Sequence, residues 1–358
     1  MIIKNIKLQY FRNFLIQTVE FSPKITVIFG DNAVGKTSII EAVNCVSSIK
    51  SFRTNDYNDL INDTSNYFYL EATLLSNDCE NKVTYYCDKE LKKIKLNNFL
   101  YSKLSDFVGY FNVVCFSALD FLKLKGSGNE RRKMFDLIFC QISKDYLFVS
   151  NYYKKLLKDR NTLLKRLIFE NRSDLQKLIE VVTEQLVEYG NKMIEFRKQA
   201  TEKISSYAQT KHLKISNHSE EFSLLYVPSI EELNPEEYNK VFSEDLKRGY
   251  TTIGPHRDDY IFIVNNKNVA TFGSQGQQRN AVLSVKLAMA DLIFEIKKEA
   301  PTLLLDDVFS ELDRSRQNAL INSLNPDYQT IITTASISDL DNKILDNALI
   351  VKLDKRSE

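Results

Sequence analysis

Gly30-Asp31-Asn32-Ala33-Val34-Gly35-Lys36-Thr37 fits the glycine-rich phosphate-binding pattern at each required position. The run before it, Ile25-Thr26-Val27-Ile28-Phe29, is apolar, continuous and rich in β-branched residues, which predicts a buried parallel strand. After it, Ser38-Ile39-Ile40-Glu41-Ala42-Val43 has helical spacing and no breaker. Strand, glycine turn and helix together aim backbone N–H groups and the positive end of a helix dipole at one spot, which suits a polyphosphate. Gly30 and Gly35 admit angles and approaches that a Cβ would block; Lys36 reaches the β and γ phosphates, and the Thr37 hydroxyl can ligate Mg²⁺. Asp31, Asn32, Ala33 and Val34 complete this phosphate cradle.

A second half of the site is expected far along the chain. Pro301-Thr302-Leu303-Leu304-Leu305-Asp306-Asp307 is an apolar strand ending in two carboxylates. Asp306 suits the Mg²⁺ shell, and Asp307 is placed to orient or deprotonate the attacking water. Ahead of that strand, Ser274-Gln275-Gly276-Gln277-Gln278-Arg279 opens a helix rich in Ala, Leu and Met, and forms a second anion cradle at its N-terminus. Two cradles in one chain invite a head-to-tail pair of copies about a two-fold axis, each closing over the other's nucleotide.

The 358 residues allow one large or two moderate domains, and a 43% hydrophobic composition supplies a real core. With a formal net charge of +1, any nucleic-acid contact has to come from a local basic patch. The five cysteines, Cys45, Cys79, Cys87, Cys115 and Cys140, make no C-x-x-C pair and read as free thiols. No apolar run approaches the roughly 20 residues that span a bilayer, and the N-terminus has no signal-peptide profile, so no membrane partner is expected and the chain reads as soluble and cytoplasmic.

Residues 2–10 predict a strand with Ile6, Leu8 and Tyr10 on one face, followed by the turn Phe11-Arg12-Asn13-Phe14. Arg12 and Asn13 are candidates to meet the nucleotide, or are simply solvated turn residues. Tyr67-Phe68-Tyr69-Leu70-Glu71-Ala72-Thr73, Lys82-Val83-Thr84-Tyr85-Tyr86-Cys87 and Ile94-Lys95-Leu96 predict an antiparallel meander turning at Asp88-Lys89-Glu90. Lys89, Lys92, Lys93 and Lys95 read as solvated edge charges. Val113-Val114-Cys115-Phe116 predicts a further core strand.

From Asn129 the period becomes helical. Leu147, Tyr153, Leu156, Leu157, Leu163, Leu164, Leu167 and Ile168 mark one helix, broken at Asn171-Arg172-Ser173. A second runs through Leu175, Leu178, Val182, Leu186, Tyr189, Met193 and Phe196, giving a helical hairpin. The first helix carries Lys144, Lys154, Lys155, Lys158, Arg160, Lys165 and Arg166 just downstream of Arg131, Arg132 and Lys133. This basic stretch suits phosphate-backbone contacts, or equally a solvated face. Gly254-Pro255-His256-Arg257-Asp258-Asp259 is an unusual loop in which His256 reads as a hydrogen-bonded structural group. His212 and His218 give no metal spacing.

This ordered set resembles the ATP-binding-cassette group, with Ser274 to Gln278 as signature and Ser310-Glu311-Leu312-Asp313 as the loop after the Walker B strand. Within that group it resembles the RecF family of bacterial recombination mediators. The resemblance rests on Phe11-Arg12-Asn13, the phosphate loop, Ser51-Phe52-Arg53-Thr54, Arg131-Arg132, Gly254 to Asp259, Ser274 to Arg279 and Leu303 to Asp313. It implies an α/β ABC-type P-loop ATPase head with a mixed sheet and an inserted helical arm, a short antiparallel hairpin. The head would comprise 1–125 and 216–358, and the arm 126–215. Thr37 and Ser274 are 237 positions apart, too many for a compact transporter ATPase and too few for a coiled coil of hundreds of residues.

The resemblance further implies an ATP-dependent homodimer, weak DNA-stimulated ATP hydrolysis, binding to double-stranded DNA at gaps or junctions, and loading of recombinase with the mediators RecR and RecO. It makes Lys36, Asp306 and Asp307 catalytic, Thr37 and Asp306 the Mg²⁺ ligands, and Ser274, Gly276 and Gln277 the contact to the other copy's ATP. Two departures stand out: Phe116-Ser117-Ala118-Leu119-Asp120 lacks the usual Pro-Glu and places no Q-loop, and Thr333-Thr334 stands where transporters keep a histidine. An SMC-like chromosome structural ATPase, a transporter energy subunit and a nucleotide kinase are the other readings.

Overall fold

β1 (Ile2–Phe11) and β2 (Phe14–Glu20) form an antiparallel hairpin. The computed structural model describes residues 1–354 apart from 171, 310, 311 and 313, and leaves out the side chain of 339. Tyr10 departs from the expected alternation: it takes a left-handed φ of 52°, and the register steps from Gln9 opposite Ile16 to Phe11 opposite Phe14. Phe11 therefore enters the core in its place. The strand β3 (Ile25–Phe29) belongs elsewhere, and the meander continues from β1 through β4 (Tyr67–Ser76), β5 (Cys79–Asp88), β6 (Lys92–Leu96) and β7 (Phe99–Leu100). The Asp88 carboxylate holds the expected turn by accepting from the Glu90 and Leu91 amides at 2.8 and 2.6 Å. Lys89, Lys92, Lys93 and Lys95 are exposed as expected.

The parallel strands are sorted into a sheet of their own. Its order is β14 (Ala348–Lys352), β3, β13 (Thr330–Thr334), β12 (Thr302–Asp306) and β8 (Val113–Phe116). Alternate residues serve two cores. Ile28, Val113, Leu304 and Ile331 face the one shared with the antiparallel sheet, while Val27, Val114, Leu303, Leu305 and Ile332 face the other. Helix α1 (Lys36–Ser48) lies in the first core, against β1 and β4; α2 (Leu104–Phe107) adjoins β6. On the other side lie α3 (Ala118–Lys125) and α4 (Gly128–Ile142), followed by the arm, α5 (Lys144–Glu170) and α6 (Ser173–Ile215).

The two arm helices pack on each other, with Asn171 of the expected break outside the described residues. Helix α6 runs well past Phe196, because Ala200, Ile204, Ala208 and Ile215 continue its buried stripe. A small sheet of β9 (Phe222–Val227), β10 (Asp259–Val264) and β11 (Lys267–Asn268) packs at the base of the arm, and helix α7 (Pro235–Arg248) lies further along it, its end against Lys165 and Ile168 of α5. Then come α8 (Val269–Phe272), α9 (Gln275–Lys297), which packs along α6, α10 (Arg314–Ser323) and α11 (Asn342–Leu345).

The basic stretch of the arm divides in two. Arg160 is buried, donating to Asp245 at 2.6 Å, Thr251 at 2.7 Å and Thr183 at 3.0 Å, so it offers nothing to a phosphate. Arg131 pairs with Asp259, Arg132 donates to the Asp258 carbonyl, and Lys144 donates to the carbonyls of Asp106 and Val108. Lys154, Lys155, Lys158 and Lys165 remain exposed. Apolar neighbours on both sides took Arg160 inside, and only a matching carboxylate on another element made that tolerable.

His256 is structural. Its Nε2 donates to the Thr251 carbonyl at 3.0 Å, so Nδ1 accepts from the Tyr153 hydroxyl at 2.9 Å. Burial lowers its pKa from 6.5 to about 4. A folded state that holds the imidazole neutral is fully stabilised above pH 6.5 and loses that stabilisation as pH falls toward 4, by about 3 kcal/mol. Urea unfolding between pH 7 and 4.5 is expected to show a steeper decline for wild type than for His256→Gln, which keeps a donor for Thr251 but cannot titrate. Equal slopes would assign the acid sensitivity to other groups.

All five cysteines are free. No helix among the described residues is long and apolar enough to cross a membrane.

Candidate nucleotide site

The phosphate loop leaves β3 at Gly30, whose φ of 155° and whose neighbour explain the residue: a Cβ there would sit 2.3 Å from the Leu353 carbonyl oxygen. Gly35, at φ 108°, meets the Phe14 ring in the same way, at 2.4 Å. Ala33 takes a left-handed φ of 69°, Asp31 and Asn32 are exposed, and Val34 is buried with its carbonyl accepting from Asn13 Nδ2 at 3.2 Å. Lys36 folds back over the loop and donates to the carbonyls of Gly30 and Asp31 at 2.6 and 2.8 Å. Burial pulls its pKa down, opposed by the charges of Asp307, Asp306 and Asp31. An ammonium held by two neutral carbonyls is ready to exchange them for phosphate oxygens.

Parallel pairing brings the ends of β3 and β12 to one edge of the sheet, with β13 between them. Thr37 and Asp306, 269 positions apart, meet there: the hydroxyl donates to Oδ1 at 3.0 Å. Thr333 donates to the same oxygen at 2.7 Å and accepts from the Asp307 amide at 3.0 Å. Burial pushes the Asp306 carboxyl above the usual carboxylate range, against the pull of the Thr333 and Thr37 hydroxyls. Asp307 is exposed, at a left-handed φ of 55°. Thr333 thus anchors the Walker B turn, a role its position in the sequence signalled only as a missing histidine.

Arg12 stands beside this loop, paired with Glu41 of α1 through Nε at 2.8 Å and Nη2 at 2.7 Å. Glu41 is completely buried, and also receives Arg53 at 3.3 Å and the Ser51 hydroxyl. The motifs Phe11-Arg12-Asn13 and Ser51-Phe52-Arg53-Thr54 are therefore tied to the phosphate-loop helix by one carboxylate. Sequence reading passed over Glu41, whose signal was a lone acid among Ile39, Ile40, Ala42 and Val43.

The signature helix α9 is capped reciprocally. Ser274 Oγ accepts from the Gln277 amide at 3.2 Å, and Gln277 Oε1 accepts from the Ser274 amide at 2.9 Å. Ser274 is exposed, Gly276 is partly so, and the Gln277 side chain is occupied by the cap. Deeper in the helix, Lys286 is buried against Asp120 at 3.1 Å and donates to the Cys115 carbonyl at 2.8 Å, which fixes the start of α3 after β8, the Phe116 to Asp120 segment. α1 and α9 cover opposite faces of the parallel sheet. Ser310, Glu311 and Asp313 of the loop after β12 lie outside the described residues; Leu312 is buried.

The family model described as RecF/RecN/SMC N terminal domain matches residues 2–103. The DNA replication and repair protein RecF of Bacillus velezensis is 37% identical over 359 aligned residues, 97% of each chain, and its Bacillus cytotoxicus counterpart is 38% identical over 97% of this chain and 95% of its own. A solved structure described as the recombination mediator protein RecF-ATP in the RecFOR pathway superposes with a TM-score of 0.87 at 33% identity, covering 95% of this chain and 93% of that one. An Smc head domain from Pyrococcus furiosus, at 18% identity and a TM-score of 0.57, shares the fold. Across nearly its whole length, from phosphate loop to Walker B strand, the chain belongs to the RecF family of SMC-like ABC-type ATPases.

Proposed function

We propose that this chain is a recombination mediator that binds and slowly hydrolyses ATP, and that ATP joins two copies, each closing the other's site with Ser274 and Gly276. The observation that carries this reading is the placement of the two anion cradles. They head helices on opposite faces of one sheet, so a triphosphate on Lys36 and Thr37 needs a second copy to reach an exposed Ser274. The RecF-ATP description of the solved relative supports ATP as the ligand.

Mg²⁺ fits the donor set, a threonine hydroxyl and a carboxylate 3.0 Å apart, both hard oxygens. Among the described residues no group of three or more His, Cys, Asp or Glu side chains could hold a metal alone, so the cation would draw on nucleotide oxygens as well as Thr37 and Asp306. When bound, it would neutralise charge on the transferring phosphoryl group. Lys36 would bind the β and γ phosphates, Arg12 and Asn13 would flank them, and Asp307 would hold the attacking water. The division into a head (1–125 and 216–358) and an arm (126–215) belongs to the same proposal, supported by the α5–α6 hairpin.

The proposed DNA partner is double-stranded DNA at gaps or junctions, met by exposed lysines of α5 such as Lys154, Lys155, Lys158 and Lys165, with stimulation of the ATPase and handover through RecR and RecO. An SMC-like structural role has less support, since the likeness to SMC heads is one of fold. Ser274→Arg is expected to leave nucleotide binding intact while abolishing ATP-dependent dimers in analytical ultracentrifugation. Dimers that persist in the variant would count against the two-copy site.

A further inference from the structure

The surfaces beside the two halves of the nucleotide site complement each other. Next to the signature, α3 packs against α8, and Leu122 and Phe272 stand 60% and 71% exposed, Phe272 two residues ahead of Ser274. Lys125, exposed, adds a positive charge at the end of α3. Next to the phosphate loop, β2 starts at Phe14, whose ring abuts Gly35, and two residues on, on the same face of the strand, Ile16 stands 57% exposed. The segment after α1 lies along the same turn, where Arg12 donates through its amide to the Leu60 carbonyl at 2.8 Å and through Nη1 to the Asp59 carbonyl at 2.6 Å. It carries exposed Asp56, Asp59 and Asp63, and among the described residues none of these carboxylates pairs with a lysine or arginine.

We infer that in the ATP-closed pair each copy seats Phe272 and Leu122 on Ile16 of the other copy, with Lys125 facing the other copy's acidic segment. This rests on the two-copy reading above. Where a signature meets a phosphate loop across a two-fold axis, the flank of the one meets the flank of the other, and the contact occurs twice. Isolated exposed leucines need no explanation, but exposed apolar side chains on both flanks, with acid on one side and base on the other, form the core and rim of an interface. Three apolar side chains per contact bury far less than a permanent dimer does, so the seat strengthens closure without replacing the nucleotide. That suits a pair that must reopen after hydrolysis.

The test combines sedimentation and crosslinking at saturating ATP and magnesium. Phe272→Asp should bind a fluorescent ATP analogue like wild type, while its dimer dissociation constant rises by roughly a hundredfold, because each substitution acts at both contacts. Adding Ile16→Lys to Phe272→Asp should restore part of the loss by exchanging an apolar contact for a charge pair. In a Cys79→Ser background, Ile16→Cys with Phe272→Cys should give dimers linked by a short bis-maleimide only when ATP is present. Wild type that stays monomeric with ATP overturns the two-copy reading itself. Wild type that pairs, alongside a Phe272→Asp variant that pairs equally well and cysteines that do not link, overturns this seating alone. Should Phe272→Asp fail to fold, the crosslink decides: linked dimers uphold the seating and their absence refutes it.

Discussion

Asp307→Asn is expected to lower ATP hydrolysis by roughly 10²–10⁴-fold while ATP binding and ATP-dependent pairing persist. Two neighbouring carboxylates at the end of β12 sit in different surroundings. Asp306 is buried under the hydroxyls of Thr37 and Thr333, whereas Asp307 is exposed beyond the strand. Environment of this kind sorts two acids into two roles, one that holds and one that moves protons. The left-handed backbone at Asp307, φ 55°, is anchored by its amide donating to Thr333 Oγ1, and aspartate tolerates that region better than most residues. Asparagine keeps the size and the turn but cannot accept a proton from water. Single-turnover hydrolysis, nucleotide titration and sedimentation on one preparation separate the outcomes. Unchanged hydrolysis would remove Asp307 from the chemistry, and lost nucleotide binding would make it a ligand.

What the sequence disclosed about this site was what lies contiguous in it. The phosphate loop, β3, the capped start of α9 and the acid pair after β12 each carry their reason within a few residues, so their structure follows from local rules. The pairings that assemble them do not. Nothing in Arg160 as a letter distinguishes it from Lys158, yet one is buried against Asp245 and the other is exposed, because helical phase and a partner on another element decide burial. The doublets Arg131-Arg132 and Asp258-Asp259 were visible separately; that they bind each other depends on α4 packing on β10. Tyr10 escaped the alternation rule through a single left-handed residue, and Glu41 became a hub only once two distant segments converged on it.

Arg197→Met is expected to destabilise the folded chain by about 3–5 kcal/mol, the scale for breaking a buried ion pair from one side. Arg197 is 1% exposed on α6, and its guanidinium is fully engaged. Nε donates to the Tyr146 hydroxyl at 2.9 Å, Nη1 to the Pro255 carbonyl at 2.6 Å and to Asp258 at 2.9 Å, and Nη2 to both Asp136 oxygens at 2.9 and 3.1 Å. Those partners sit on α4, α5 and the Gly254 to Asp259 loop, so one side chain clamps the base of the arm. Methionine fills much of the volume but leaves the Asp258 carboxylate, fully buried, with Tyr226 and the Ser229 amide as its side-chain partners among the described residues. The loss is therefore set by the stranded carboxylate more than by lost packing. Two comparisons follow from that cause. Adding Asp258→Asn to Arg197→Met should cost less than the sum of the single changes, since the stranded charge is gone. Arg172→Met, which breaks the exposed pair with Asp174, should be indistinguishable from wild type in urea midpoint, because water screens both partners already. An Arg197→Met midpoint equal to that of Arg172→Met would mean that the arm is held to the head by its apolar stripe alone.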